Sequence, residues 1–297
     1  MPGQVAIEVK GLVKDYKKIR AVDGLDFTVE AGKLTGFLGP NGAGKTTTFR
    51  ALLGLTRMTD GEVTILGKPV PQRLDEVVKE VGAIVEEPGL IKSITGLRNL
   101  RVAADTLGAG HDRIDELLDF VELTGDARRN VEQYSKGMRQ RLALAAALLP
   151  SPKILFLDEP LDGLDPAGQH AFKARLRQLA EGGTTVMVSS HDLSDVEALA
   201  DNVIVINKGK LVAQGTLESL LSEATMRVEG VGGTDAVNVL QSSGYEVEQR
   251  GDSLVIATGD GAGIIRSLAG ARIYPSEVKA TRDSLESVFL GITGTDE

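Results

Sequence analysis

The sequence contains no cysteine and no apolar run of membrane-spanning length. The lack of cysteine excludes disulfide bonds and cysteine-ligated zinc sites. The longest apolar run, 142–149, is far shorter than the roughly 18 residues that a membrane-spanning helix needs. The first residues, MPGQVAIEVKGLVKDY, show no basic stretch followed by an apolar core, so we expect the chain to stay on the ribosome's side of the membrane.

Basic residues are also fewer than acidic residues. Lysine and arginine total 33 against 42 acidic residues, which gives a formal net charge of −9. Nucleic acid is bound mainly through phosphate contacts to a basic face, so this balance argues against nucleic acid as the main partner. The length of 297 residues, with 42% hydrophobic and 25% charged residues, is typical of a folded protein with one large domain or two.

The pattern of apolar runs divides the chain near residue 222. Before that point, KLTGFLG, VGAIV, KILFLDEP, TTVMVSSH and DNVIVIN read as strands buried on both faces. Helical stretches alternate with several of them, which predicts an α/β domain over 1–222 with a largely parallel sheet. The segment from about 90 to 150 is mostly helical and indicates an inserted subdomain.

The C-terminal segment, 223–297, has a different pattern. Apolar and helical stretches follow each other in the order βαββαβ, which predicts a small α+β domain of ferredoxin-like type. A final amphipathic helix, DSLESVFLGITG, is predicted to dock on its own domain through Leu285, Val288 and Phe289. We find no catalytic constellation in this segment.

A glycine-rich stretch, GPNGAGKTTT, lies between a predicted strand and a predicted helix. It matches G-x-x-x-x-G-K-[ST], in which backbone N–H groups and a helix N-terminus hold a phosphate. The predicted nucleotide-binding residues are Gly39, Pro40, Asn41, Gly42, Ala43, Gly44, Lys45, Thr46 and Thr47. Lys45 is expected to reach the β- and γ-phosphates, and the Thr46 hydroxyl to ligate Mg²⁺.

The stretch ILFLDEP places two carboxylates directly after an apolar strand. Ligands of α/β sheets bind at the carboxyl ends of the strands. Asp158 suits the Mg²⁺ shell, directly or through water, and Glu159 is placed to polarise an attacking water. Two such acids can also serve only to cap the next helix, but a phosphate loop in the same chain favours catalysis.

Five motifs in this order, GPNGAGKTT, YSKGMRQR, ILFLDEP, LDGLD and VSSHD, resemble those of the nucleotide-binding subunit of ABC transporters. The resemblance covers residues 1 to about 222. It implies a P-loop NTPase domain, the ABC ATPase domain, made of a RecA-like core plus a helical subdomain. It also implies that the nucleotide is ATP, that Mg²⁺ accompanies it, and that the chain hydrolyses ATP.

The stretch YSKGM occupies the place of the family's signature motif, with Lys136 and Met138 departing from the commoner LSGGQ. Gly137 lies in the first turn of a predicted helix, where glycine costs about 1 kcal/mol relative to alanine. In the family, two such domains pair head to tail, and the signature of one faces the ATP of the other. The resemblance thus implies that Gly137 admits a γ-phosphate and that Ser135 donates to it. Ser135 could also simply cap the helix.

The resemblance assigns roles to further positions. Tyr16 lies where the family has an aromatic residue that stacks on adenine, and we expect that role for it; the alternative is a tyrosine that only packs on its strand. Glu86 stands in place of the usual glutamine that senses Mg²⁺ and the γ-phosphate, so it is expected to be an altered metal contact. Asp165 would couple the two sites or cap a helix. His191 would contact the γ-phosphate and orient Glu159, or be an ordinary histidine at a strand end.

The function implied by the resemblance is that of an ATPase subunit working with a separate polytopic permease and a second ATPase domain, at the cytoplasmic face of the cell membrane. Three further stretches resemble the ATPase subunits of bacterial exporters for antibiotics, peptides, lipids or sodium. They are SKGMRQR, EEPGL and SLESVFLGITG. One alternative is a soluble ABC ATPase acting on the ribosome or DNA. Another is a regulatory nucleotide binder without hydrolysis, against which Glu159 and His191 both argue.

Overall fold

The computed structural model describes residues 4–86, 88–221, 225–231 and 234–281. The chain separates into two compact units, Met1–Thr216 and Leu217–Glu297, a few residues before the predicted boundary near residue 222. Each unit has a hydrophobic core of its own. The predicted last helix lies outside the described residues. Within the described part of the chain, no helix is both long and apolar enough to cross a membrane.

The bounds of the elements are as follows. The strands of the first unit are β1 (Val5–Tyr16), β2 (Ile19–Glu30), β3 (Leu34–Leu38), β4 (Asp60–Ile65), β5 (Lys68–Val70), β6 (Val81–Ile84), β7 (Ile154–Asp158), β8 (Thr185–Ser190), β9 (Asn202–Asn207) and β10 (Lys210–Thr216). Its helices are α1 (Lys45–Leu52), α2 (Leu74–Val77), α3 (Gly96–Leu107), α4 (Ile114–Phe120), α5 (Lys136–Leu148), α6 (Pro166–Glu181) and α7 (Leu193–Glu197). The second unit contains α8 (Leu217–Leu220), β11 (Thr225–Glu229), α9 (Thr234–Ser242), β12 (Val247–Arg250), β13 (Ser253–Ile256), α10 (Gly261–Gly270) and β14 (Glu277–Thr281).

The main sheet of the first unit has six strands in the order β10-β9-β3-β8-β7-β6. All of its pairs except β10 with β9 are parallel, and the five parallel strands are the five predicted from apolar runs. Strands β3, β7 and β8 are buried along their whole length, as expected where both faces of a parallel sheet are covered. Their carboxyl ends therefore meet at one edge of the sheet.

A second, antiparallel sheet has the order β2-β1-β4-β5 and was not among the predicted strands. Buried and exposed positions alternate along β2, because one face of this sheet packs on the core. Charged side chains interrupt every apolar run in such a strand, so it stands out less than a strand buried on both faces.

The helical subdomain is formed by α3, α4 and α5, which lie between β6 and β7 in the chain, within the segment predicted to be helical. Helix α5 is buried along its apolar face and ends just before Pro150. Its backbone passes close to β6, since a Cβ atom on Gly82 would lie 2.4 Å from the Ala147 carbonyl oxygen. This glycine therefore lets the helix pack directly on the sheet edge.

The second unit has the element order β11-α9-β12-β13-α10-β14 and the sheet order β12-β13-β11-β14, with all pairs antiparallel. This is the arrangement of a ferredoxin-like domain. Alternate residues of the central strands, such as Val228 and Leu254, form its core with Leu240, Ile264 and Leu268 from the two longer helices.

A row of four phenylalanine rings crosses the core of the first unit. Phe27 on β2, Phe37 on β3, Phe49 on α1 and Phe156 on β7 follow one another with ring centroids 5.6, 5.7 and 5.6 Å apart. All four are buried, and the last pair meets edge to face. The row fixes α1 against β7, which are the two elements that carry the predicted phosphate loop and the predicted acids.

We expect Phe49→Ala to lower the free energy of unfolding by about 3–5 kcal/mol, because it removes a buried ring from the middle of this row. Urea unfolding of the full chain measures the loss. Leu55→Ala is the control, since Leu55 is 67% exposed and its truncation should change stability by no more than about 0.5 kcal/mol. Equal losses in the two variants would contradict the importance of the aromatic row.

Candidate functional site

The predicted phosphate loop connects the end of β3 to the start of α1. Gly42 and Gly44 have φ angles of 83° and 106°, and Gly44 is the residue that precedes the first turn of the helix. The Ala43 N–H donates to the Pro40 carbonyl at 3.0 Å, and the Gly39 N–H donates to Ser190 at 3.3 Å. The backbone thus curls back on itself, a shape that leaves N–H groups free to face an anion.

Two of the loop glycines are required by the chain's own packing. A Cβ atom on Gly39 would lie 2.4 Å from the Ile206 carbonyl oxygen, and one on Gly44 would lie 2.6 Å from the Ala21 carbonyl oxygen. Both contacts are with backbone, which cannot rotate away. The loop is therefore held tightly between β9 and β2, and only glycine fits at these positions.

Lys45 is the first residue of α1 and is only 6% exposed. Its ammonium group donates to the Gly39 carbonyl at 2.7 Å and to the Pro40 carbonyl at 3.2 Å. It also lies 3.1 Å from the Glu159 carboxylate. The Lys45 ammonium is thus held by two carbonyl groups of the loop, and Lys45 lines a cavity over the loop.

Asp158 ends β7 and is held by two hydroxyl groups. Thr46 Oγ1 donates to Asp158 Oδ2 at 2.7 Å, and Ser189 Oγ donates to Asp158 Oδ1 at 2.5 Å. The Glu159 N–H in turn donates to Ser189 Oγ at 2.9 Å. A hydroxyl and a carboxylate side by side provide the oxygen ligands that Mg²⁺ prefers, so Thr46 and Asp158 fit the predicted metal.

The side chains of Glu159 and His191 are in contact with each other. His191 Nδ1 lies 2.9 Å from Glu159 Oε2, and the Glu159 backbone is left-handed with φ 47°. The next residue, Asp192, accepts from the hydroxyl of Ser194 and from backbone N–H groups, which hold its pKa below the ordinary value against the opposing effect of burial. The Glu159 carboxylate therefore contacts the His191 ring, while the Asp192 carboxylate is held by Ser194.

A cavity of about 290 Å³ opens over the phosphate loop. Loop residues line it together with Ala21, Glu159, Asp162 and His191. The structure thus brings together the predicted phosphate loop, the predicted metal pair and the predicted catalytic pair in one place. Ser189 is a site residue that the sequence analysis missed. The sequence hint was its place in VSSHD, at the end of a predicted strand. In the structure this strand, β8, is parallel to β7, and Ser189 is in register with Asp158.

Glu86 contacts an arginine and does not line this cavity. Its carboxylate forms an ion pair with Arg50. Its backbone is left-handed, with φ 65°. Of the three predicted metal contacts, the structure therefore brings together Thr46 and Asp158 and pairs Glu86 with a cation.

Tyr16 ends β1 and is 40% exposed. The Lys14 ammonium lies 4.6 Å from the centre of its ring, and its hydroxyl is 3.5 Å from Thr56 Oγ1. Asp165 precedes α6, where Pro166 follows it, but its side chain makes no capping hydrogen bond. The structure therefore leaves part of the Tyr16 ring open and places Asp165 at a helix start without closing the cap.

Ser135 and Gly137 stand at the start of α5. The Ser135 side chain accepts from the Met138 N–H at 3.2 Å, so it caps the helix, and it remains exposed. A Cβ atom on Gly137 would meet only ordinary contacts, at 3.6 Å from Leu164 and 3.9 Å from Ser135. Nothing within the described chain requires glycine here, in contrast to Gly39 and Gly44.

Comparison with known proteins places these features in a family. The ABC transporter family model matches residues 22–162. The daunorubicin resistance ATP-binding protein of Streptomyces coeruleorubidus is 37% identical over 98% of this chain and 96% of its own length. The Nod factor export ATP-binding protein I of Rhizobium sp. (strain N33) is 35% identical over 99% of this chain and 98% of its own length.

A solved structure has the same fold. A dimeric ATP-binding cassette in a post-hydrolysis state, bound to ADP and Pi, is 26% identical to this chain, with a TM-score of 0.65. The match covers 71% of this chain and 98% of that one.

We expect Gly44→Ala to lower the affinity for ATP at least about tenfold, because the new methyl group would displace the loop from the Ala21 carbonyl and a left-handed alanine is strained. A fluorescent ATP analogue measures the affinity. Gly67→Ala is the matched control, since Gly67 also has a positive φ, 74°, but no atom lies within 4 Å of the added carbon. ATP binding that is equally affected, or unaffected, in both variants would contradict the close-packing argument.

Proposed function

This chain belongs to the ATP-binding subunits of ABC transporters, and we propose that it hydrolyses ATP to drive a separate membrane permease that exports a drug, antibiotic, peptide or lipid. The observation that carries the proposal is the position of the Glu159 carboxylate between two groups that orient it. Lys45 Nζ lies 3.1 Å from one of its oxygens and His191 Nδ1 lies 2.9 Å from the other.

The chemistry follows from that arrangement. The phosphate loop and Lys45 bind the phosphates of ATP and offset the charge that develops on the γ-phosphate. Glu159 polarises the attacking water, and His191 holds Glu159 and the water in line with the γ-phosphate. Tyr16, whose ring is partly open, is proposed to stack on adenine.

Mg²⁺ is proposed to accompany ATP. Thr46 and Asp158 would hold it, since they present a hydroxyl and a carboxylate oxygen 2.7 Å apart. When bound, the ion would neutralise charge on the phosphate oxygens. Glu86, the third predicted contact, is engaged by Arg50 in this structure.

The contrast between the glycines supports a head-to-tail dimer. Gly137 has room for a side chain within its own chain, and Ser135 beside it is exposed at a helix N-terminus. We propose that the γ-phosphate of ATP bound to a second copy approaches this point, where the helix dipole and Ser135 attract it. Hydrolysis then removes the group that joins the two copies, and they separate.

A groove of about 440 Å³ supports docking of a membrane permease. It lies between β6, the segment around Pro88–Ile91, and helices α3 and α5, and most of its lining is aliphatic. The resemblance to ABC transporters implies that this region receives a short helix of the membrane subunit, and we propose that this contact places the chain at the cytoplasmic face of the membrane. The export of a drug-like or lipid-like substrate is inferred from relatives named for daunorubicin resistance and Nod factor export. The ribosome or DNA alternative receives no support from these relatives.

The Glu159→Gln variant should keep ATP bound and lose turnover by at least about a hundredfold, because the amide cannot accept a proton from water. A tagged Glu159→Gln protein, loaded with ATP in detergent-solubilised membranes of the native host, should recover a polytopic membrane protein in roughly equal amount. Glu181→Gln, an exposed change on α6, is the control and should hydrolyse ATP normally. Recovery with ribosomes or DNA alone would contradict the transporter assignment.

Gly137→Ala should leave the monomer intact, or stabilise it by up to about 1 kcal/mol because alanine favours a helix. It should nevertheless abolish ATP-induced dimerisation in the Glu159→Gln background, because the methyl group would occupy the space of the partner's γ-phosphate. Light scattering with and without ATP measures the dimer, and thermal unfolding measures stability. Gly125→Ala is the control, since its added carbon meets no atom within 4 Å. Unchanged dimerisation of the Gly137 variant would contradict the proposed dimer.

A further inference from the structure

An ion pair joins the helix of the phosphate loop to the segment that follows β6. It is formed by Arg50 Nη2, in the last turn of α1, and Glu86 Oε1. Both side chains are partly exposed, and Arg50 is the cation that the described structure pairs with Glu86. None of the functional roles above uses Arg50.

Arg50 and Glu86 belong to the same elements, or to neighbours of the elements, that form the phosphate site. Helix α1 begins with Lys45 and Thr46, and Arg50 follows one turn later on the same helix. Strand β6 is the parallel neighbour of β7, with Ile84 opposite Leu157, so Glu86 follows β6 at the edge of the sheet where Asp158 ends β7 and Glu159 follows it. Glu86 therefore adds one more carboxylate to this edge of the sheet.

This additional carboxylate creates an electrostatic problem for ATP binding. Glu159 and Asp162 already line the cavity, Asp158 accepts from Thr46 beside it, and Lys45 is the buried cation that faces Glu159. The phosphates of ATP add several negative charges in the same place. A neutral glutamine, the usual residue at this position, would not repel them, whereas an unpaired glutamate would.

We propose that Arg50 is a positioning residue for ATP binding, which neutralises the Glu86 carboxylate and holds it aside so that the phosphates do not meet a further unpaired acid. The proposal rests on ATP binding in the cavity above. The left-handed backbone of Glu86 is consistent with a side chain held in one direction, because a non-glycine residue adopts this conformation only when its surroundings maintain it.

The other role of such a pair would be purely structural, tying α1 to the segment after β6. The two roles predict different results. If the pair is structural, removing either partner should have the same effect. If Arg50 acts by neutralising charge, removing Arg50 should weaken ATP binding, while removing the charge of Glu86 should not.

The test is a double-mutant cycle on the full chain. ATP affinity is measured with the metal chelated, by a fluorescent analogue, for wild type, Arg50→Gln, Glu86→Gln and the double variant. We expect Arg50→Gln to weaken binding about tenfold at low salt, since it exposes a unit charge close to the phosphates. Glu86→Gln should bind ATP as well as wild type or more tightly, and the double variant should match Glu86→Gln. Arg50→Lys, which keeps the positive charge, should retain most of the wild-type affinity for ATP.

Matched controls separate charge from folding. Arg73→Gln removes an arginine from a comparable exposed ion pair with Glu76 on α2 and should leave ATP binding unchanged. Thermal unfolding of every variant should stay close to wild type, because exposed ion pairs contribute little to stability.

Equal losses for Arg50→Gln and Glu86→Gln would show a structural pair and overturn the proposal. A loss from Arg50→Gln that persists in the Glu86→Gln background, or no loss at all, would overturn it as well. Failure of the wild-type chain to bind ATP would instead contradict the proposed function on which it rests.

Discussion

The contact between helix α1 and strand β7 is the constraint on which the site depends. At one end of the contact, Phe49 packs edge to face on Phe156 in the core. At the other, Thr46 donates to Asp158 at 2.7 Å. Because the phosphate loop leads into α1, and the acids lie at and just after the end of β7, this one packing arrangement sets the distance between the loop and the carboxylates. The parallel neighbour β8 then adds the remaining groups at the same sheet edge.

Glycine serves two different purposes in this chain. Gly39 and Gly44 are needed because the chain's own carbonyl groups come within 3 Å of where a side chain would begin. Gly137 has no such neighbour, and its requirement is proposed to come from a nucleotide on a second copy. The first purpose makes a rigid half-site within one chain. In the proposed dimer, the second leaves the site incomplete until two copies meet, so that a bound phosphate would control their association.

For binding a polyanion such as ATP, the charges placed around the loop matter more than the net charge of the whole protein. The chain carries nine more acidic than basic residues and yet belongs to a family that binds ATP, a polyanion. A buried lysine, backbone N–H groups and a helix N-terminus supply a positive field within the loop, where the dielectric constant is low and each charge counts for more than on the surface. The Arg50–Glu86 pair belongs to the same scheme, because it removes one acid from that field.

The sequence by itself determined the elements whose signal is contiguous. Five fully apolar strands, the phosphate loop and the two acids after β7 could be read directly, because burial on both faces and a fixed glycine spacing each leave an uninterrupted local pattern. The structure decided what depends on residues far apart in the chain. The sheet of β1, β2, β4 and β5 is half exposed and has a broken pattern, Ser189 acts only because β8 lies in register with β7, and Glu86 pairs with an arginine 36 positions earlier. No local pattern encodes such partners, since tertiary packing alone brings them within hydrogen-bonding distance.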